Sequence, residues 1–434
     1  MIVVIGLGFV GLTLSLALAE KGVTIHGIEA NKQTFEQLST GSSPINEKEI
    51  DHYLHRTINK NFFVHQDLEN VQKSDKDIYI ICVGTPLDQT GNPNLSYIEN
   101  AVRSVGKKIQ EDDLVILRST VPVGTTLGFV SQILKEEMKK RNINSTLNIA
   151  FAPERTAEGK ALKELTELPQ IIGGINKQSV LRTTELFHNL TPIIITVSTI
   201  ETAEMIKLID NSYRDVQFAY SNEVALICEK LNLDANECIS KANIHYKRNN
   251  VPLPSPGVGG PCLSKDPYIL MKSVGDLHYP NSIISFSRNL NEIIPSMLAH
   301  RINSILTKLD ITNPKIFIMG FAFKGNPETN DVRNSPTLSL VSELKDSQIF
   351  GHDYLVNPNE IEKSGAKPSS IEEGFKNADC VIIVNNHIKY GDLDVVSLLE
   401  SSNKPCLFVD CWRLYDKKIF EGIDGITYTG VGIV

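Results

Sequence analysis

The chain has 434 residues, 41% hydrophobic and 22% charged, with a formal net charge of −8. That length predicts two or three domains with sizeable cores, and the acidic balance argues against a nucleic-acid surface. Seven cysteines without CxxC spacing and ten histidines without an HxxxH or HExxH cluster argue against a disulfide scaffold and a metal site, and fit a reducing cytosol.

The first nineteen residues are apolar enough to suggest a signal peptide or membrane helix. They lack a basic leading segment, and three glycines interrupt them, so neither is expected. No later apolar run is long enough to span a bilayer, so no membrane partner is expected.

Ile2–Ile5 reads as a strand, Gly11–Glu20 as a helix and Thr24–Ile28 as the next strand. Between the first strand and the helix lies Gly6-Leu7-Gly8-Phe9-Val10-Gly11, the GxGxxG spacing of a dinucleotide loop. Its first glycine permits the tight turn, the second lets pyrophosphate approach backbone, and the third packs helix on strand. Gly6, Gly8, Phe9, Val10 and Gly11 are therefore candidate cofactor positions. Glu29 closes the next strand, where a carboxylate binds a ribose 2′-hydroxyl and repels a 2′-phosphate, so NAD is the expected cofactor.

Strands at Asp77–Val83, Leu114–Leu117, Leu147–Phe151 and Gln170–Ile172 continue the alternation, which predicts a parallel sheet with helices on both faces. The turns Val83-Gly84-Thr85-Pro86 and Ser119-Thr120-Val121-Pro122 end two of these strands, so Thr85 and Thr120 are placed to face a cofactor. Ordinary turn chemistry is the plainer alternative. Pro153-Glu154-Arg155 and Glu158 follow another strand. Two carboxylates four apart suit general base and water partner, but by themselves read as a solvated loop.

Ile200–Leu231 carries no proline or glycine and predicts one long spine helix, between domains or across a dimer. Lys207 and Asn211 share one of its faces. An ammonium can stabilise a developing alkoxide and an amide can orient it, although a solvent-facing pair is the commoner fate. Leu233 to about Leu309 continues mostly helical, broken by the Pro/Gly loop at 252–261.

That loop leads into Gly257-Val258-Gly259-Gly260-Pro261-Cys262-Leu263-Ser264-Lys265-Asp266. A free cysteine is usually buried and structural. Here the glycines leave the thiol uncrowded, and Lys265 or Lys207 can favour its thiolate. Residues 313–325 read as another strand entering a glycine turn, echoing the N-terminus, and strands at 348–350, 380–384 and 406–410 follow. The fold class is α/β: two Rossmann-like doubly wound domains, 1–198 and 309–434, joined by a central all-helical domain, 199–308.

With these motifs in place, the chain resembles the UDP-sugar 6-dehydrogenases over essentially its whole length. The resemblance rests on the GxGxxG, the two strand-end turns, Pro153-Glu154 and Ala203-Glu204-Met205-Ile206-Lys207 with Asn211. It rests also on the cysteine loop, and on Gly320-Phe321-Ala322-Phe323-Lys324-Gly325 with Asp331-Val332-Arg333. It implies a homodimer built on the long helix and two successive oxidations at sugar C6 through a Cys262 thiohemiacetal and thioester. Lys207 and Asn211 would hold the oxyanion, and Asp266 would activate water or position Lys207. Glu154 would serve in hydrolysis and Thr120 would hold the water. Glu158 would lie near the nicotinamide and Arg333 would contact the cofactor. Arg155, Gly259 and Lys324 would face the UDP-sugar, and Arg248 would reach a neighbouring subunit's substrate.

Two departures stand out. Thr34 takes the place of a basic residue often found five after the ribose carboxylate, with Lys32 nearby. Pro-Glu-Arg, Gly-Gly-Pro-Cys-Leu, Asp-Pro-Tyr and Asn211-Ser212-Tyr213-Arg214-Asp215-Val216 look like the N-acetylhexosamine branch, whereas Ala157-Glu158-Gly159 looks like the glucose branch. The expected substrate is UDP-N-acetyl-D-mannosamine, its product serving a surface polysaccharide, with UDP-glucose the alternative. More distant alternatives are a single-step hydroxyacid dehydrogenase and a non-catalytic nucleotide-sugar sensor. A cytoplasmic enzyme is expected.

Overall fold

The computed structural model describes residues 1–274 and 282–433, and divides into two compact units. The first runs from Met1 to Asp210 and takes in the segment beginning at Tyr268; the second holds Asn211–Pro267 and the C-terminal half. Residues 275–281, within the stretch expected to be mostly helical, lie outside the described residues.

The first unit is built on an eight-stranded sheet. Its strands are β1 (Ile2–Ile5), β2 (Ile25–Ile28), β3 (Phe62–His65), β4 (Ile78–Ile81), β5 (Leu114–Leu117), β6 (Asn148–Phe151), β7 (Gln170–Gly174) and β8 (Ile194–Thr196). The order is β3-β2-β1-β4-β5-β6-β7-β8, parallel except where β7 meets β6. The central strands are Ile/Val/Leu runs because both faces are covered. Val3 and Ile5 join one core layer while Val4 joins the other, the two-residue alternation of a strand. Order reverses between β1 and β4, leaving a crevice at their carboxyl ends where ligands bind in such sheets. The edge strand β8 was not legible in sequence, since two of its three residues are exposed and give no core pattern.

The helix Ile200–Leu231 has the predicted bounds and passes from the first unit into the second. In the second unit it is accompanied by helices Ala235–Asn243 and Ile283–Lys308, beside a six-stranded sheet. That sheet comprises β9 (Lys315–Met319), β10 (Gln348–His352), β11 (Lys367–Pro368), β12 (Cys380–Ile383), β13 (Cys406–Asp410) and β14 (Ile426–Gly430). Its order, β11-β10-β9-β12-β13-β14, repeats the first six positions of the N-terminal sheet. The echo extends to atoms. Gly6 (φ +90°) donates its amide to the Ile28 carbonyl at 2.9 Å, and Gly320 (φ +98°) donates to the His352 carbonyl at 2.9 Å.

Three ties hold the β13–β14 end of this sheet to its helices. Gly432 donates to Glu229 Oε1 at 2.9 Å, Arg301 donates to the Gly430 carbonyl at 2.6 Å, and Arg413 pairs with Asp234 at 2.8 Å. Among the described residues, no helix is long and apolar enough to cross a membrane.

Candidate active site

In the first unit, one group of residues lines the crevice where β1 gives way to the helix Phe9–Glu20. A methyl on Gly11 would stand 1.8 Å from the Gly6 carbonyl oxygen, so only glycine lets helix and turn close together here. Gly8 begins the helix with open space at its Cα, and Phe9 and Val10 are half-buried in its first turn. Glu29 accepts from the Leu7 amide at 3.0 Å and from the Asn31 amide at 2.8 Å. Its carboxylate is thus held against the glycine turn. Thr34 is occupied locally, its amide donating to the Asn31 cap at 3.1 Å, and Lys32 pairs with Glu36 at 3.7 Å. A bare backbone turn with a carboxylate beside it fits a dinucleotide lacking a 2′-phosphate.

The turns after β4 and β5 are tied together. Thr85 donates its hydroxyl to the Thr120 carbonyl at 2.6 Å, and Ser119 donates to the Val83 carbonyl at 2.6 Å. Thr120 is half-buried. Arg118, drawn from the end of β5, is buried and donates to the Ala152 and Pro153 carbonyls at 2.9 and 3.2 Å and to the Gln170 side chain at 2.9 Å. Burial lowers its pKa, while the negative charge of Glu154 opposes that shift.

Arg118 therefore fixes the backbone that carries Glu154, which is buried and accepts from the Thr156 amide. Its Oε2 lies 3.8 Å from Lys207 Nζ, which is also buried. Arg155 reaches the same helix, pairing with Asp210 at 2.7 Å. Burial removes the reading of Glu154 as part of a solvated loop. Glu158 is half-buried, on a loop fastened by Glu47, which accepts from Gly159 at 2.7 Å and from Ala161 at 3.0 Å.

Glu204, one turn before Lys207, braces the turn after Thr120. It accepts from the Gly124 amide at 2.6 Å, the Thr126 amide at 2.9 Å and the Thr126 hydroxyl at 2.6 Å. Sequence reasoning gave no role to Arg118 or Glu204, which brace the turns and loops carrying Thr120 and Glu154. Their signal was a charge set beside or within an apolar run.

In the second unit Asn211 is buried and donates to Asp266 Oδ2 at 2.5 Å. Lys265 pairs with Asp266 Oδ1 at 2.7 Å, so its ammonium neutralises that carboxylate. Asp266 has no solvent exposure and starts the helix Asp266–Lys272. Its amide, with that of Lys265, donates to the Cys262 carbonyl at 2.9 and 3.1 Å, so the cysteine stands just ahead of that helix. Cys262 is exposed, unlike the buried Cys82, whose thiol burial pushes up to about 12.

The glycines of this loop answer close approaches. A methyl on Gly259 would lie 2.0 Å from the Asn334 carbonyl, and the Gly260 amide donates to the Arg333 carbonyl at 3.1 Å. The Arg333 side chain is exposed and pairs with Asp331, Lys324 Nζ lies 5.4 Å from the Phe323 ring centre, and Arg248 is exposed with its guanidinium over Tyr246 at 5.0 Å.

The site residues thus fall into a Glu154–Lys207 group in the first unit and an Asn211–Asp266–Cys262 group in the second, with Lys207 and Asn211 one turn apart on one helix. Among the described residues, no cluster of three His, Cys, Asp or Glu could hold a metal ion.

Three family models match the chain. The NAD binding domain of the UDP-glucose/GDP-mannose dehydrogenase family covers residues 1–191, the central domain 201–293 and the UDP binding domain 317–417. A UDP-N-acetyl-D-mannosamine dehydrogenase of Methanococcus vannielii is 33% identical over 408 residues, 93% of this chain and 90% of that protein. An NDP-N-acetyl-D-galactosaminuronic acid dehydrogenase of Ralstonia nicotianae is 29% identical over 405 residues, 90% of this chain and 92% of that protein. The solved structure of a UDP-D-ManNAc dehydrogenase from Pyrococcus horikoshii superposes with TM-score 0.88 at 29% identity, covering 100% of this chain and 99% of that one.

Proposed function

Because the chain belongs to the UDP-glucose/GDP-mannose dehydrogenase family, an NAD-dependent oxidoreductase family, we propose that it oxidises C6 of UDP-N-acetyl-D-mannosamine to the carboxylate through a Cys262 thioester. The observation that carries this reading is an exposed thiol on a glycine loop, backed by the buried pair Asp266 and Asn211. Alcohol-to-aldehyde oxidation needs no thiol; continuing to the acid uses one.

Bound NAD supplies the hydride acceptor for each of two oxidations. In the first, the C6 hydroxyl loses its proton as hydride leaves carbon, and Lys207 stabilises the alkoxide charge. The Cys262 thiolate then attacks the aldehyde carbon, with Lys207 and Asn211 holding the oxyanion. Asp266 fixes the Asn211 amide so that its remaining N–H can donate. Loss of the second hydride leaves a thioester. Water held by Thr120 and activated by Glu154 cleaves the C–S bond, releasing carboxylate and restoring the thiol. Glu158 would sit beside the nicotinamide and Arg333 would contact the cofactor. Arg155, Gly259 and Lys324 face the UDP-sugar, and Arg248 serves a neighbouring subunit's substrate.

The names of the relatives and the residues Pro153-Glu154-Arg155 and Gly260-Pro261-Cys262-Leu263 support an N-acetylated sugar. We read three domains, 1–198, 199–308 and 309–434, in a cytoplasmic homodimer. Supporting the dimer, Ile209, Tyr213, Tyr220, Ile227 and Leu231 form one exposed apolar stripe along the long helix. Supporting a reducing compartment, all seven cysteines are free of disulfides.

The test is NADH released per mole of UDP-sugar, run on UDP-N-acetylmannosamine, UDP-N-acetylglucosamine and UDP-glucose. The expected result is two NADH on UDP-N-acetylmannosamine, with Cys262→Ser lowering acid formation on the order of 10³-fold or more. Two NADH on UDP-glucose alone would overturn the substrate, and one per sugar would overturn the thioester.

A further inference from the structure

The loop that carries Cys262 has few side chains of its own to hold it, yet a reacting thiol must stand in one place. Gly260 has φ +88°, and Gly257, Gly259 and Gly260 contribute no side chain to pack. The order comes from outside. Arg288, on the helix Ile283–Lys308, has no solvent exposure and is among the largest fully buried side chains. One terminal nitrogen donates to Asp215 Oδ1 at 2.7 Å and to the Leu263 carbonyl at 2.9 Å; the other donates to the Val258 carbonyl at 2.9 Å. Val258 and Leu263 bracket Gly259-Gly260-Pro261-Cys262, so a single guanidinium fastens both ends of the reactive segment.

A second tie runs from the same helix. Asn291, one turn beyond Arg288, donates to Asp215 Oδ1 at 2.9 Å and accepts from Asn222 at 3.2 Å. Asn222 in turn accepts from the Ser255 amide at 2.9 Å, earlier in the loop.

We propose that Arg288 is the positioning residue that presents Cys262, with Asp215 holding the guanidinium in register. The proposal rests on Cys262 as nucleophile. Shape matters more than charge here. The planar fork reaches two carbonyls and a carboxylate in fixed directions, which a lysine ammonium cannot reproduce. A residue that merely filled space would tolerate lysine without changing the thiol.

The experiment compares Arg288→Lys with its parent as full-length chains. Both carry Cys238→Ser, since Cys238 and Cys262 are the exposed cysteines. Circular dichroism and thermal melting establish folding. Iodoacetamide alkylation of Cys262 across pH reads the thiol directly, and steady-state NADH production gives kcat and KM. In a folded variant the alkylation profile is expected to shift. Turnover should fall on the order of 100-fold, with KM for the UDP-sugar changing far less. Either alkylation or kcat remaining within about twofold of the parent in a folded variant overturns the proposal. If Arg288→Lys does not fold, Asp215→Asn decides by the same readouts and threshold. A Cys262→Ser chain that still makes acid would sink the thioester reading separately, because alkylation does not depend on turnover.

Discussion

Asp77, at the entry to β4, has no solvent exposure and gathers Lys73 Nζ at 2.8 Å, the Ser74 hydroxyl at 2.7 Å and the N-terminal amine at 3.3 Å. Burial pushes its pKa up, but the hydrogen bonds from Lys73 and Ser74 outweigh that and hold it at about 2. Its folded pKa lies below the ordinary carboxylate value, so the stabilisation is complete above that value and is lost as pH falls towards the folded one. Asp77→Asn should therefore cost about 2 kcal/mol at neutral pH, with the gap to wild type closing below about pH 4. Thermal melts at several pH values check this; a gap that stays constant down to about pH 2 would sink it. The same scale separates what pattern reveals from what it hides. Gly11 was legible because its spacing from Gly6 and Gly8 is a local rule. The 3.8 Å approach of Glu154 to Lys207 was not, because those residues lie on separate elements.

The long helix Ile200–Leu231 spaces three buried polar side chains. Glu204, Lys207 and Asn211 succeed one another at three and four residues, so they share one side. Glu204 spends both carboxylate oxygens on the turn 124–126 that follows Thr120. Burial pushes its pKa up, while the Thr126 and Gly124 hydrogen bonds oppose this. Glutamine would turn an amide NH2 towards one of those donors. Glu204→Gln is expected to lose about 1–3 kcal/mol and to slow NADH production. Calorimetry and steady-state rates measure both, and unchanged values would show that the turn does not depend on the brace. The helix bounds were predictable because an uninterrupted run without proline or glycine has few alternatives. The Glu204 role was not, since a lone acid in an apolar stretch does not name its partner.

At the level of the molecule, the six-stranded sheet repeats the order of the first six positions of the eight-stranded one, and each has a glycine turn donating to the neighbouring strand. A carboxylate closes each turn: Glu29 accepts from Leu7, and Asp353 from Phe321 and Ala322. Tyr220 and Ile227 belong to the exposed stripe on the long helix. Tyr220→Asp combined with Ile227→Asp should lower the sedimentation mass from dimer to monomer while leaving the melt of the isolated chain nearly unchanged, since both side chains are exposed. A wild-type chain that sediments as a monomer would remove the dimer.

The amino-acid sequence by itself determined the alternating strands and helices, the glycine turns and the uninterrupted helix. Each follows from local stereochemistry or from a spacing of a few residues. Only the tertiary structure decided which polar groups are buried and whom they meet. Arg288 joins Asp215, 73 positions away, and Arg118 joins Gln170, 52 away. A buried charge is stable only where distant donors and acceptors converge on it, and that convergence is a property of the folded chain rather than of any window along it.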